Sequence, residues 1–135
     1  IAEKDIMFSL SEVKLGLIPA CIGPFVLAKI GESWARALFL SANRFSAEMA
    51  LQIGLIHSIA NDPEDLKKKT DKIIQQISSS SPQALKVAKS FLREIKGKNI
   101  DVQNSIASKT LADIRVTEEA QEGLKAFLEK RAPKW

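Results

Sequence analysis

A mostly α-helical fold is what this sequence predicts, and three observations carry the prediction. From Asp62 onward apolar residues recur at helical spacing. The same stretch carries helix punctuation, with Asp62-Pro63, Ser81-Pro82 and Thr117 as starts and Gly97 as a stop. Only two stretches read as strands, residues 7–10 and 55–59, and they lie far apart in the chain. Two isolated short strands do not make a stable sheet. The strands therefore need partners outside this chain, or they are not strands. The organisation that follows is a loop-rich region over 1–61 and a helical region over 62–135.

Taking the elements in order, Gly16 and Pro19 shape the segment after the first strand into a loop. Gly23-Pro24 opens a short apolar helix over 25–30, and Gly31 stops it. A second helix runs through Trp34, Leu38 and Phe39. Ser46 caps a helix reaching Ile53, with Gly54 as its left-handed terminator. Beyond Asp62, four amphipathic helices carry apolar faces: Leu66, Ile73 and Ile77; then Leu85, Ala88, Leu92 and Ile95; then Ile100, Ala107, Leu111 and Ile114; and last Leu124, Phe127 and Leu128. Glu118 and Glu119 suit the first turn of the last helix, and Lys130 and Arg131 suit its final turn. These faces predict exposed apolar surface and self-association.

Composition narrows the function. The 135 residues are 45% hydrophobic and 27% charged, an ordinary globular balance with enough chain for a real core. No run approaches the roughly 20 apolar residues of a membrane span. Glu3, Lys4 and Asp5 interrupt the start before a secretion signal could form. The net charge of +4 is dispersed, and Lys67-Lys68-Lys69 sits among Glu64, Asp65 and Asp71, the pattern of a solvated helix face. No aromatic residues interleave with basic ones, which argues against nucleic-acid binding. Cys21 is the only cysteine, so neither an intrachain disulfide nor a Cys-cluster metal site can form, and a reducing, cytoplasmic setting is expected.

Glu12 is the leading chemical candidate. It follows an apolar strand inside the Gly/Pro-bounded loop, flanked by Val13, Leu15 and Leu17. A carboxyl among apolar neighbours suits general acid/base work near neutral pH; the competing reading is a turn cap in water. His57, the only histidine, has no second ligand nearby and reads as half-buried structure. Cys21 could be a nucleophile at a helix start, or small apolar packing. The amides around Ile22, Gly23 and Phe25 could receive an anion or dipole. Lys130, Arg131 and Lys134 could meet phosphates, or simply be a solvated helix end.

These residues also carry a resemblance. Phe8-Ser-Leu-Ser-Glu-Val-Lys-Leu-Gly-Leu-Ile-Pro19 resembles the F-x-x-P-E-x-x-x-G-x-x-P stretch of the crotonase (enoyl-CoA hydratase/isomerase) superfamily, with Ser11 in place of the usual proline. The run from Ala35 to His57 is similar to that family's A-x-x-L-x-L-T-G-x-x-x-x-A-x-x-A-x-x-x-G-L-V segment, and the tail from Glu122 to Trp135 to its E-G-x-x-A-F-x-E-K-R-x-P-x-F ending. Ala20-Cys-Ile-Gly-Pro-Phe-Val-Leu27 departs from the common glycine-rich segment and resembles the methylglutaconyl-CoA hydratase-like branch.

The resemblance implies subunits roughly twice this length, with this chain as the C-terminal part of an α/β spiral fold. Residues 1–61 would end the core and carry the active-site loop, and 62–135 would form a helical trimerisation region. It implies an acyl-CoA thioester substrate, no cofactor beyond the coenzyme A of that substrate, and a homo-oligomer (trimer or hexamer) or association with the N-terminal half. Family hydratases use two glutamates, of which Glu12 matches the second. The first glutamate and both oxyanion-hole amides would lie upstream of Ile1. Leu15, Leu17, Ile18, Cys21 and Phe25 would line or support the acyl pocket, and Lys130 falls where the family tail approaches the coenzyme A of a neighbouring subunit. Losing one oxyanion donor costs about 10²–10³ in rate, so the isolated chain is expected to be inactive. Isomerisation within the same superfamily and a non-catalytic helical oligomerisation module are the rival readings.

Overall fold

A computed structural model describes all residues, Ile1–Trp135. The chain divides into two compact units, Ile1–Ile73 and Ile74–Trp135. The division falls inside a helix, α3 (Pro63–Ser78). The reason is local bonding. Lys69 Nζ donates to the Ile59 carbonyl at 2.6 Å and to Asp65 at 2.7 Å, and Asp65 accepts from the Asn61 N–H, so the first turns of α3 are tied to the segment before them.

In the first unit, the strands are β1 (Ala2–Glu3), β2 (Met7–Phe8), β3 (Phe45–Ser46) and β4 (Ile59–Ala60). The partners judged missing from sequence are present: β1 runs parallel to β4, and β2 antiparallel to β3 with Phe8 opposite Phe45. Those two rings stack with centroids 5.5 Å apart. Only Ile59 of the expected 55–59 strand is extended in a sheet; Leu55 and Ile56 instead donate their N–H groups to the Ala50 carbonyl in a helix-ending turn.

Helix α1 (Gly23–Ser41) is interrupted at Gly31, whose φ of 73° and ψ of 170° leave the helical region, so the predicted stop and restart are one broken element. Helix α2 (Ala47–Gln52) is capped by Ser46, whose hydroxyl accepts the Met49 N–H. Leu10, Val26, Ile30, Ala35, Leu38, Phe45, Ala50 and Ile53 form the buried core of this unit.

In the second unit, α4 (Pro82–Ile95), α5 (Ile100–Arg115) and α6 (Glu118–Leu128) pack pairwise. Ser81, Asn99 and Thr117 cap them, each accepting a backbone N–H three residues on. The packed stripes differ from the predicted ones. Along α4 the half-buried residues are Ala84, Val87, Phe91 and Ile95, while Leu92 is 66% exposed. Along α5 they include Ile106, Ala107 and Ile114, while Ile100 and Leu111 face outward. On α6, Phe127 and Leu128 are exposed, and the only buried apolar residue of the unit is Ala126. Helix α6 ends at Leu128, so Lys130 and Arg131 lie beyond its last turn. No helix is long and apolar enough to cross a membrane.

Candidate active site

Glu12 opens a single 3₁₀ turn, Glu12–Leu15, and three residues of its motif shape that turn. Gly16 closes it in the left-handed region, at φ 73°, donating its N–H to the Val13 carbonyl. The Leu17 N–H returns to the Glu12 carbonyl at 3.0 Å. Pro19 is buried, and its carbonyl accepts the Gly23 N–H at 2.6 Å as α1 begins. The turn packs against α1. A glutamate, a left-handed glycine four residues on and a proline three further therefore make one compact unit that fixes where the carboxyl lies.

The Glu12 side chain is half-buried, and its Oε2 is shut from solvent without a hydrogen-bond partner. Buried polar atoms are almost always paired. An orphan carboxylate oxygen is therefore available to a donor brought by a ligand. In the same loop and at the start of α1, Leu15, Leu17, Ile18 and Phe25 are between 61% and 76% exposed. Cys21 is exposed as well. A cavity of about 340 Å³ in the first unit lies elsewhere, between Leu27, Ala35, Phe39 and the Glu32–Arg36 pair.

Two further candidates are reassigned by their hydrogen bonds. The Gly23 and Phe25 amides, read as a possible anion site, donate to the Pro19 and Ile22 carbonyls and are already satisfied. His57 is exposed, outside any strand, with its Nε2 3.4 Å from Lys29 Nζ.

Lys130 and Arg131 belong to the second unit, where their environments part. Arg131 grips Glu122 through two parallel bonds of 2.6 and 2.9 Å and reaches Glu129 at 2.6 Å. Hydrogen bonding to Arg131, with the Lys134 N–H next, holds the Glu122 carboxyl down at about 2. Arg131 is thus engaged, whereas the Lys130 ammonium makes no hydrogen bond or ion pair. Sequence reasoning missed Glu122 and its role. The available signals were its place at the head of the tail motif and its spacing, nine residues before Arg131.

A model of the enoyl-CoA hydratase/isomerase family matches residues 1–135. The chain therefore belongs to the enoyl-CoA hydratase/isomerase family. It is similar to the crystal structure of an enoyl-CoA hydratase from Shewanella pealeana, with 42% identity and a TM-score of 0.91 over 99% of this chain and 49% of that one. Enoyl-CoA hydratase AKT6-1 of Alternaria alternata is 34% identical over 101 residues, covering 75% of this chain and 34% of that protein. A trans-2-decenoyl-[acyl-carrier-protein] isomerase of Streptococcus mutans is 29% identical over 144 residues, covering 100% of this chain and 51% of that protein. The chain spans between about a third and a half of the length of these relatives.

Proposed function

We propose that this chain is the C-terminal half of an enoyl-CoA hydratase-like lyase, of the methylglutaconyl-CoA hydratase-like branch, acting on a 2-enoyl-CoA thioester. Glu12 is its general acid. Water adds its oxygen to the β-carbon, and its released proton passes to a second carboxylate outside residues 1–135. Glu12 delivers a proton to the α-carbon as the double-bond electrons move there. The oxyanion donors likewise lie outside this chain, so residues 1–135 alone are inactive. Leu15, Leu17, Ile18, Cys21 and Phe25 line the acyl pocket once the other half covers them, and Lys130 meets a phosphate of coenzyme A. Residues 62–135 serve trimerisation. The reading calls for no cofactor beyond the substrate's coenzyme A, and a cytoplasmic setting accords with one unpaired, exposed cysteine.

The buried, unpartnered Oε2 of Glu12 is the observation that carries this reading. The test is crotonyl-CoA hydration by the source polypeptide after its intact mass is set against 14.9 kDa. Glu12→Gln is expected to lower kcat by about 10²–10⁴. Full activity in Glu12→Gln would remove Glu12 from the chemistry. Conversion of a 3-enoyl-CoA without hydration would favour double-bond isomerisation, for which the similarity to the Streptococcus mutans isomerase speaks.

A further inference from the structure

The ends of α2 and α6 close with one hydrogen-bond pattern built from different residues. After α2, the Gly54 N–H donates to the Leu51 carbonyl and the Leu55 N–H to the Ala50 carbonyl, with Gly54 at φ 78°. After α6, the Lys130 N–H donates to the Phe127 carbonyl at 3.2 Å and the Arg131 N–H to the Ala126 carbonyl at 3.0 Å, with Lys130 at φ 54°. The left-handed position favours glycine, and the residue after it ordinarily packs an apolar side chain back on the helix, as half-buried Leu55 can. At α6 a lysine occupies the glycine position and an arginine the apolar one. A lysine there is strained, and such strain persists only where its surroundings enforce it. The enforcement is visible. Arg131 clamps Glu122 bidentately, and Glu122 Oε1 also accepts the Lys134 N–H at 2.8 Å, so the chain is held just after Lys130.

We propose that Glu122 and Arg131 are positioning residues: they hold Lys130 in its left-handed turn so that its otherwise unengaged ammonium meets a phosphate of coenzyme A. The proposal rests on the hydratase reading above. A turn fixed before binding spares the ordering that a loose lysine would undergo on the phosphate. It also gives Arg131 a task other than touching the ligand, since its guanidinium faces two carboxylates already.

The test measures coenzyme A affinity and melting temperature on the source polypeptide. Lys130→Gly relieves the strain, so the melting temperature rises while coenzyme A binds roughly 5-fold more weakly, the most an exposed charge contact ordinarily supplies. A residue with only a structural role would not move those two readouts in opposite directions. Glu122→Gln weakens coenzyme A binding in the same direction as Lys130→Gly, and in turnover the loss falls on KM and not on kcat. Arg131→Lys, which keeps the charge and loses the fork, is the milder second variant should Glu122→Gln fail to fold. Unchanged affinity in Lys130→Gly overturns the phosphate contact and with it this part of the hydratase reading. Weakened binding in Lys130→Gly with wild-type binding in both Glu122→Gln and Arg131→Lys overturns the positioning alone.

Discussion

Leu38 in α1 and Leu124 in α6 each belong to an apolar helix face, yet Leu38 is 3% exposed and Leu124 is 49% exposed. The contrast extends to the units that hold them. In Ile1–Ile73 the apolar residues of α1 and α2 converge on one core around Leu38 and Phe45. In Ile74–Trp135 the large apolar residues Leu92, Leu111, Phe127 and Leu128 face outward, and polar bonds join the pieces. Glu119 accepts both the Ser81 hydroxyl and the Gln83 N–H at the start of α4, Arg131 grips Glu122, and the Trp135 indole N–H donates to the Ser79 carbonyl at 2.9 Å. Apolar periodicity therefore announces that a helix has a face, not that this chain covers it.

Truncation in the first unit should give the largest loss. Leu38→Ala leaves a cavity in a closed core and is expected to cost about 2–5 kcal/mol, read from the urea midpoint. A loss below 1 kcal/mol would mean that this core is as loosely packed as the second unit. Next comes the polar joint of that second unit. Ser81 is 9% exposed, caps α4 and donates to Glu119, so Ser81→Ala removes a cap and strips a partner from Glu119. About 1–3 kcal/mol is expected, seen first as faster amide exchange in the opening turn of α4.

A smaller effect is expected in acid. Glu122 sits at about 2 in the folded chain against 4.5 for an ordinary glutamate, so it binds its proton more weakly when folded. Its contribution is fully present above pH 4.5 and is lost as pH falls from 4.5 towards 2. In a Trp34→Phe background, Trp135 fluorescence should shift over that window, and Glu122→Gln should abolish the shift. The smallest change belongs to Leu124→Ala, expected to cost less than about 1 kcal/mol in an isolated chain. A cost equal to that of Leu38→Ala, accompanied by a fall in oligomer mass, would show that a second copy covers this face.

Helix starts were legible because a cap acts within three residues: Ser46, Asp62, Ser81 and Thr117 all accept an N–H where expected. The choice of face was not. Along α4 both the row through Ala84, Val87 and Phe91 and the row through Leu85 and Leu92 satisfy helical spacing, and only tertiary packing selects the first. Strands of two residues are too short to show alternation, so β1 and β3 left no signal. At the site, Glu12, Gly16 and Pro19 were readable as a shaped loop, since glycine and proline act on the backbone. The orphaned Oε2 was not, because burial depends on how the turn packs against α1. Nor was the Arg131–Glu122 clamp, which bridges a helix end that sequence reasoning placed a turn too late.

Gly123 sits inside α6, where a Cβ would stand 3.1 Å from the Trp135 ring. A glycine at such a position weakens a helix by roughly 1 kcal/mol relative to alanine. The indole thus lies in the space that a helix-favouring side chain would fill. Helix α6 should then be a poor helix by itself, coherent only while the indole rests against it. Departure of the ring and fraying of the helix become a single cooperative event with one rate and one temperature dependence.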